Sequence, residues 1–400
     1  MPALTSQTRR VALYLGLCLA FAAALLGSLL VQGASLPETP ACTEGTIITQ
    51  VRLVPGAAAS ADLAAIVRPA MYPNVAAGDE PGCGALYRSD GNGTTWTPLF
   101  ARAGEQPEAL LVASSQLYLL SESLSFPLTL TGNLYRTDAA GALSSWTRIS
   151  PQGEGTVPIA AITDLLVAPD GVLLARASNG DGAALLRSVD QGATWSAVVI
   201  PNLLSVGSVA VVGTTVVVTP PAYTPHASPG VASDDGGLTW YALHPLPSVP
   251  SRTGLQAVLG GNDVERRLIL SLVPRNTLIP DQPVARYASV DGGRSWQIVR
   301  CGARPAPGCA TDTLWAQTIH ARYVLYQGHL FSAALGSPWL QLPIALPVAP
   351  YAVQQVLAVS GRQGDTIYLV SATGIWRFDG GHWRNSAAAL HPGGPAPEAS

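Results

Sequence analysis

The apolar positions of this chain come in short runs rather than helical stripes. Between Ile162 and Ile200 four runs follow one another: Asp164–Ala168, Val172–Ala177, Ala183–Ser188 and Thr194–Ile200. Pro-Asp-Gly, Asn-Gly-Asp-Gly and Asp-Gln-Gly separate them. Gly and Asn accept backbone angles that other residues resist, so these are turn sequences. Short apolar runs bounded by turns predict β-strands buried on both faces. The same grouping recurs upstream, where Gln50–Pro55, Asp62–Arg68, Ala85–Arg88 and Trp96–Phe100 predict a further set of four.

A repeat organises these strands. Three segments share the pattern S-x-D-x-G-x-[ST]-W: Ser188, Asp190, Gly192 and Trp195; Ser233, Asp235, Gly237 and Trp240; Ser289, Asp291, Gly293 and Trp296. Weaker copies carry Ser89, Asp90 and Trp96, then Asp138 and Trp146, then Asp379 and Trp383, and one more, Leu330 to Trp339, has lost the Asp. The seven Trp residues are 43 to 56 residues apart, a period typical of repeat architectures. Four strands per period and seven periods predict an all-β fold, a closed seven-bladed β-propeller of four-stranded blades. Closure leaves no long sheet edge free. The ring is expected over about residues 45–388, with 389–400 as a flexible tail.

The motif resembles the Asp-box, or bacterial neuraminidase repeat. Propellers with such boxes include sialidases, xyloglucan-cleaving glycoside hydrolases, sortilin-type receptors and photosystem assembly factors of the Ycf48 type. The resemblance implies a fold and not one function. It also implies that the box is a turn between the third and fourth strands of a blade. Asp in such a turn accepts backbone N–H groups, Gly supplies a positive φ, and Trp packs between neighbouring sheets. Repetition in every blade argues against these Asp residues being catalytic acids or calcium ligands.

Composition bears on compartment and partners. Only 12% of residues are charged, against roughly 25% in average soluble proteins. The net charge is -3 and every basic residue is Arg, so no nucleic-acid partner is expected. Val11–Val31 is a run of 21 residues with no charge, Asn or Gln, directly after Arg9 and Arg10. That length suits a membrane-spanning helix with residues 1–10 in the cytoplasm and a linker over 32–44. A secretory signal cut after Gly33 is the other open reading. Either one places the ring outside the cytoplasm, anchored or secreted. Cys42, Cys83, Cys301 and Cys309 then form an even set suited to disulfides, with Cys301–Cys309 closing a short loop and Cys42 left for Cys83. Their spacing lacks a zinc pattern. No metal and no cofactor are expected.

Candidate chemistry gathers on long loops opposite the box turns: 70–84, 121–133, 220–230 and 274–284. The binding candidates there are Arg68, Tyr72, Tyr223, His226 and Arg275. The sialidase resemblance implies three Arg residues gripping one carboxylate. Arg68, Arg176, Arg275, Arg322 and Arg362 are the available set, and only Val67-Arg68-Pro69 carries part of a motif. Ordinary glycosidases need two carboxylates about 5–10 Å apart. Asp79, Glu80, Glu108 and Asp281 are candidates without an obvious pair. A non-catalytic binding or assembly scaffold for a protein or glycan ligand is therefore expected, with a sialidase-like glycoside hydrolase as the alternative.

Overall fold

The computed structural model describes residues 46–390 apart from loop segments, the longest being 70–83, 139–145, 150–160 and 275–282. The apolar run Val11–Val31, Cys42 and Cys83 lie outside the described residues. Among those described, no helix is long and apolar enough to cross a membrane.

Seven antiparallel four-stranded sheets succeed one another along the chain, each a simple up-and-down meander. Blade 1 is β1 (Thr46–Pro55), β2 (Ala61–Pro69), β3 (Ala85–Ser89) and β4 (Trp96–Phe100). Blade 2 is β5 (Glu105–Ala113), β6 (Gln116–Ser125), β7 (Thr129–Asp138) and β8 (Thr147–Arg148). Blade 3 is β9 (Ala161–Val167), β10 (Leu173–Ser178), β11 (Ala183–Ser188) and β12 (Ser196–Ala197). Blades 4 to 7 begin at Ser208, Leu255, Trp315 and Val353, and the last ends at Asn385. The all-β seven-bladed propeller expected from the repeat is the observed fold.

Three details differ from the sequence reading. The stretch 121–133, expected as a loop, is the end of a long hairpin in which Ser121 pairs with Asn133 and Ser125 with Thr129. Backbone ladder bonds continue through polar residues, so polarity alone did not mark the turn. The fourth strand of blade 3, expected over Thr194–Ile200, is only Ser196–Ala197; a short outer strand leaves little free edge. The chain also stays packed beyond residue 388, since Leu390 is buried against blades 1 and 7.

Blade 1 comes wholly from the N-terminal part of the ring and blade 7 wholly from the C-terminal part, so no strand is exchanged to close it. Side-chain packing and isolated hydrogen bonds close it instead. Ile48, Val51, Leu63 and Val67 of blade 1 pack on Tyr368, Val370 and Ile375 of blade 7. The Gln355 amide oxygen accepts from Val51 N–H at 3.3 Å, and Ile48 N–H donates to the Ala372 carbonyl at 2.8 Å. The first strand of a blade has one unpaired edge, and Gln side chains serve it. Gln355 follows a register shift after Val353, and Gln50 follows one after Ile48. Gln50 Oε1 accepts Leu110 N–H of blade 2 at 2.6 Å.

The box segments are hairpin turns with one repeated hydrogen-bond pattern. Ser188 is buried, and its Oγ donates to Asp190 Oδ1 and accepts Gly192 N–H, both at 2.8 Å. Asp190 also accepts Thr194 N–H at 2.8 Å and the Thr194 hydroxyl at 2.6 Å. Ser233, Asp235, Gly237 and Thr239 repeat this set, as do Ser289, Asp291, Gly293 and Ser295. Bonds from the Thr194 hydroxyl and amide, with Ser188, hold the Asp190 carboxyl down at about 2. Gly192 has φ 89°. A Cβ there would also lie 2.4 Å from Ile149 Cδ1 of the preceding blade, so both conformation and space require glycine.

Most of the Trp residues that end these turns reach backwards, whereas Trp339 packs edge-on to Trp315 of its own blade. Trp146 Nε1–H donates to the Leu99 carbonyl of blade 1 at 2.8 Å. Trp195 donates to Ile149 at 3.3 Å, and Trp383 to Ala345 at 2.8 Å. Trp96 donates to Ser386 at 2.7 Å and so ties blade 1 to the end of blade 7. Trp296 is buried against blade 4, but its Nε1 has no partner among the described groups. Between blades 5 and 6 the Cys301–Cys309 pair lies in disulfide geometry, with Cα atoms 5.6 Å apart. Arg286 of blade 5 donates to the Cys309 carbonyl at 3.1 Å, while Cys309 packs beside Trp315 of blade 6.

Two expectations follow. Trp146→Phe and Trp296→Phe remove similar buried area, yet only the first strands a carbonyl. Urea denaturation should show Trp146→Phe to be the more destabilising by about 1 kcal/mol; the reverse order would contradict the indole-to-carbonyl tie. The Asp190 carboxyl, depressed from 3.8 to about 2, contributes stability that is full above about pH 4 and lost as pH falls towards 2. Asp190→Asn should therefore reduce the slope of stability against pH between 4 and 2, read by circular dichroism.

Candidate functional site

Meander topology sorts the connections. Turns between strands one and two, and between three and four, share one face of the ring; all other connections share the opposite, loop face. Arg68, at the end of β2, therefore stands at the loop face. So do Glu105–Glu108 at the start of β5 and Glu122 near the end of β6.

These residues form one polar cluster across blades 1 and 2. Arg68 makes an ion pair with Glu108, Nη2 facing Oε1 and Nη1 donating to Oε2 at 2.7 Å. The Gln106 amide oxygen, turned towards the guanidinium, accepts from Nε at 2.6 Å and Nη2 at 2.9 Å. Burial pushes the Glu108 carboxyl up to about 7; Arg68 opposes this, and the neighbouring Glu122 charge reinforces it. Beside the pair, Tyr135 OH donates to Glu105 Oε1 at 2.6 Å. Arg102 lies over the Tyr135 ring, 4.6 Å from its centroid. Burial, then the bond to Glu105, pushes the Tyr135 hydroxyl up to about 12.

Of the binding candidates, Arg68 belongs to this cluster. Tyr223 is at the loop face by position, but its ring is buried with Leu255, Leu272 and Tyr287 between blades 4 and 5, and its hydroxyl has no partner among the described groups. An aromatic ring flanked by prolines reads as exposed in sequence; here the gap between two sheets takes it in. Tyr72, His226 and Arg275 lie outside the described residues, as do Asp79, Glu80, Asp281 and Arg362, and the box residues Asp90 and Asp379.

The described arginines do not converge. Arg176 bonds Asp164 of its own blade at 2.6 Å, and Arg322 lies 5.0 Å from the Trp339 ring centroid. Among the described residues no group of three or more His, Cys, Asp or Glu side chains is placed to hold a metal ion.

Sequence reasoning missed Glu105, Glu122 and Tyr135. The two acids are marked only by polarity at the ends of the Leu-rich runs of β5 and β6, and Tyr135 sits inside β7 with no mark of its own. It also missed a group on the box face. Asp365 of blade 7 accepts His320 Nδ1–H of blade 6 at 2.8 Å and Tyr323 OH at 2.8 Å. These residues lie more than 40 positions apart, with no local pattern to join them.

No known protein family matches the chain, and no curated protein does. Solved β-propellers do. The GH74 xyloglucanase from Xanthomonas campestris aligns at 17% identity and TM-score 0.47 over 83% of this chain, which spans about half (52%) of that enzyme. YCF48 from Cyanidioschyzon merolae aligns at 13% identity and TM-score 0.44, covering 86% of this chain and 99% of that one. The β-propeller domain of the Trilobed protease from Pyrococcus furiosus aligns at 10% identity and TM-score 0.47, over 88% and 98%. At these identities and scores the likeness does not extend to activity.

Tyr223→Phe deletes a buried hydroxyl that bonds to nothing described. Its thermal midpoint should match or exceed the wild type, since an unmatched polar group costs about 1–3 kcal/mol. A clear loss of stability would show that the hydroxyl has a partner.

Proposed function

We propose that this chain is an extracytoplasmic, Asp-box-type propeller that acts as a non-catalytic binding or assembly scaffold. The apolar run Val11–Val31 behind Arg9 and Arg10 supports the location, as an anchor or a cleaved signal. The three repeated turns support the family resemblance.

The commitment of the described arginines carries the non-catalytic reading. A sialidase-like site needs three guanidiniums free to grip one carboxylate. Arg68 is held by Glu108, and Arg176 by Asp164, while Arg322 sits by Trp339 in another blade. Glu108 does have the raised pKa of a general acid. Both of its oxygens are engaged by Arg68, whereas a glycosidase acid must be free to meet the leaving oxygen, with a second carboxylate about 5–10 Å away. The loop face around Arg68 is the proposed docking surface for a protein or glycan.

The purified full chain should show no turnover of a fluorogenic sialoside or of β-glucans, xyloglucan included. Turnover that vanishes in a folded Arg68→Ala variant would promote the glycosidase alternative. A reporter active only outside the cytoplasm should be active when fused after Ser400; activity of a cytoplasm-only reporter at that position would contradict the location.

A further inference from the structure

Among the described residues, every seam between blades but one holds an apolar cluster drawn from both neighbouring sheets. The exception is the seam between blades 5 and 6. Its cluster is Trp315, Val324, Tyr326, Phe331 and Trp339, all of blade 6, with Cys309 and Ala310 from the connection between the two blades. No described strand residue of blade 5 joins it.

Both sides of this seam depart from the rest of the ring. The hairpin turn of blade 6 keeps Ser332 and Gly336 of the box pattern. It has Ala334 where the boxes have Asp, and Pro338 where they have Thr or Ser. Ala334 has no carboxylate to accept with, and Pro338 has neither N–H nor hydroxyl to donate. Blade 5 presents its bulky residues to blade 4, with Leu268, Leu270, Leu272 and Tyr287 in one cluster. By strand alternation its other face carries Val258, Gly260, Ile269, Ser271, Arg286 and Ala288. Small and polar side chains predominate there, and Val258 stands exposed.

The chain between the blades spans the gap, and its contacts are crossed. Gly302, nearer to blade 5 in sequence, is held by blade 6: its carbonyl accepts from Tyr326 OH at 2.6 Å and from Gln327 Nε2 at 3.2 Å. Cys309, nearer to blade 6, is held by blade 5: its carbonyl accepts from Arg286 Nη1 at 3.1 Å. Both bonds need the two ends of the loop side by side, and the Cys301–Cys309 disulfide keeps them there.

We propose that the Cys301–Cys309 disulfide is a redox latch on the ring. Closed, it holds a loop where the other seams have a shared cluster; opened by a dithiol reductant, it frees this seam ahead of the others. Cys301 is exposed, which leaves the bond open to attack from solvent. One thiolate of the reductant forms a mixed disulfide with one cysteine, and the second thiol then displaces that cysteine. Two electrons and two protons pass to the chain. Two thiols remain here, and the reductant becomes a disulfide.

The test uses the full chain in detergent in three forms: oxidised wild type, wild type reduced with dithiothreitol and desalted under argon, and the Cys301→Ser/Cys309→Ser double variant. The variant isolates this bond from any between Cys42 and Cys83. Hydroxyl-radical footprinting reads side-chain exposure at Trp315 and Tyr326, with Tyr287 and Tyr135, buried at two other seams, as internal references. Opening the disulfide should raise the oxidation rates of Trp315 and Tyr326 several-fold and leave those of Tyr287 and Tyr135 unchanged. Equal rates in the closed and opened forms would overturn the proposal. So would a rise shared by all four residues, or free thiols at 301 and 309 in chain purified without reductant. Should the double variant not fold, the oxidised and reduced wild type decide alone.

Discussion

The ring depends on holding together sheets that share no backbone ladder. Within a blade, ladders of hydrogen bonds between strands do that work; between blades there are side-chain contacts and single backbone bonds such as Ile48 N–H to the Ala372 carbonyl. The Trp at the end of each turn addresses the gap in two ways. In every blade but the sixth, where Trp339 packs on its own sheet, the ring fills apolar space against the preceding sheet, and in blades 1, 2, 3 and 7 its N–H finds a carbonyl there. The turn upstream exists to aim that ring. Ser, Asp and Thr fix the backbone, and Gly lets the preceding blade approach to van der Waals contact. A single short motif thus joins local turn chemistry to the packing of the whole ring.

Closure follows from the same logic. Blade 7 meets blade 1 without a swapped strand, and the last seam, like that between blades 1 and 2, has an apolar cluster, a Trp tie and a Gln bond at the inner edge. The inner edge matters because the unpaired N–H groups of a first strand would otherwise need water in the channel. Between blades 5 and 6 the disulfide loop contributes, reached from one side by Arg286 and packed on the other against Trp315.

Low charge content shapes what the molecule can do chemically. With few ionisable groups, most described ones are consumed by internal partners: Arg88 by Asp62, Arg176 by Asp164, Arg294 by Asp234. This leaves the loop face without a converging set of catalytic side chains among the described residues. Where charges do gather, at Arg68 and Glu108, burial raises the Glu108 carboxyl to about 7 against the pull of Arg68. The box carboxylates stay ionised through the same range because hydroxyl and amide donors surround them. One chain therefore holds carboxyls shifted in opposite directions, down where hydroxyl and amide donors surround them and up where burial removes water.

The sequence by itself determined the blades. Turn chemistry and strand patterning are local, so Ser188, Asp190, Gly192 and Trp195 announce their hairpin within eight residues, and the spacing of Trp announces seven of them. Four strands of blade 1 were legible to within a few residues for the same reason. What lies between blades was decided only in three dimensions. The pairing of Arg68 with Glu108, the burial of Tyr223 and the meeting of His320 with Asp365 join residues 30 or more positions apart. Their partners are chosen by the twist and stacking of whole sheets and by which gaps that stacking leaves to fill. No local pattern encodes that, because the energy of each contact depends on a surface supplied by a different part of the chain.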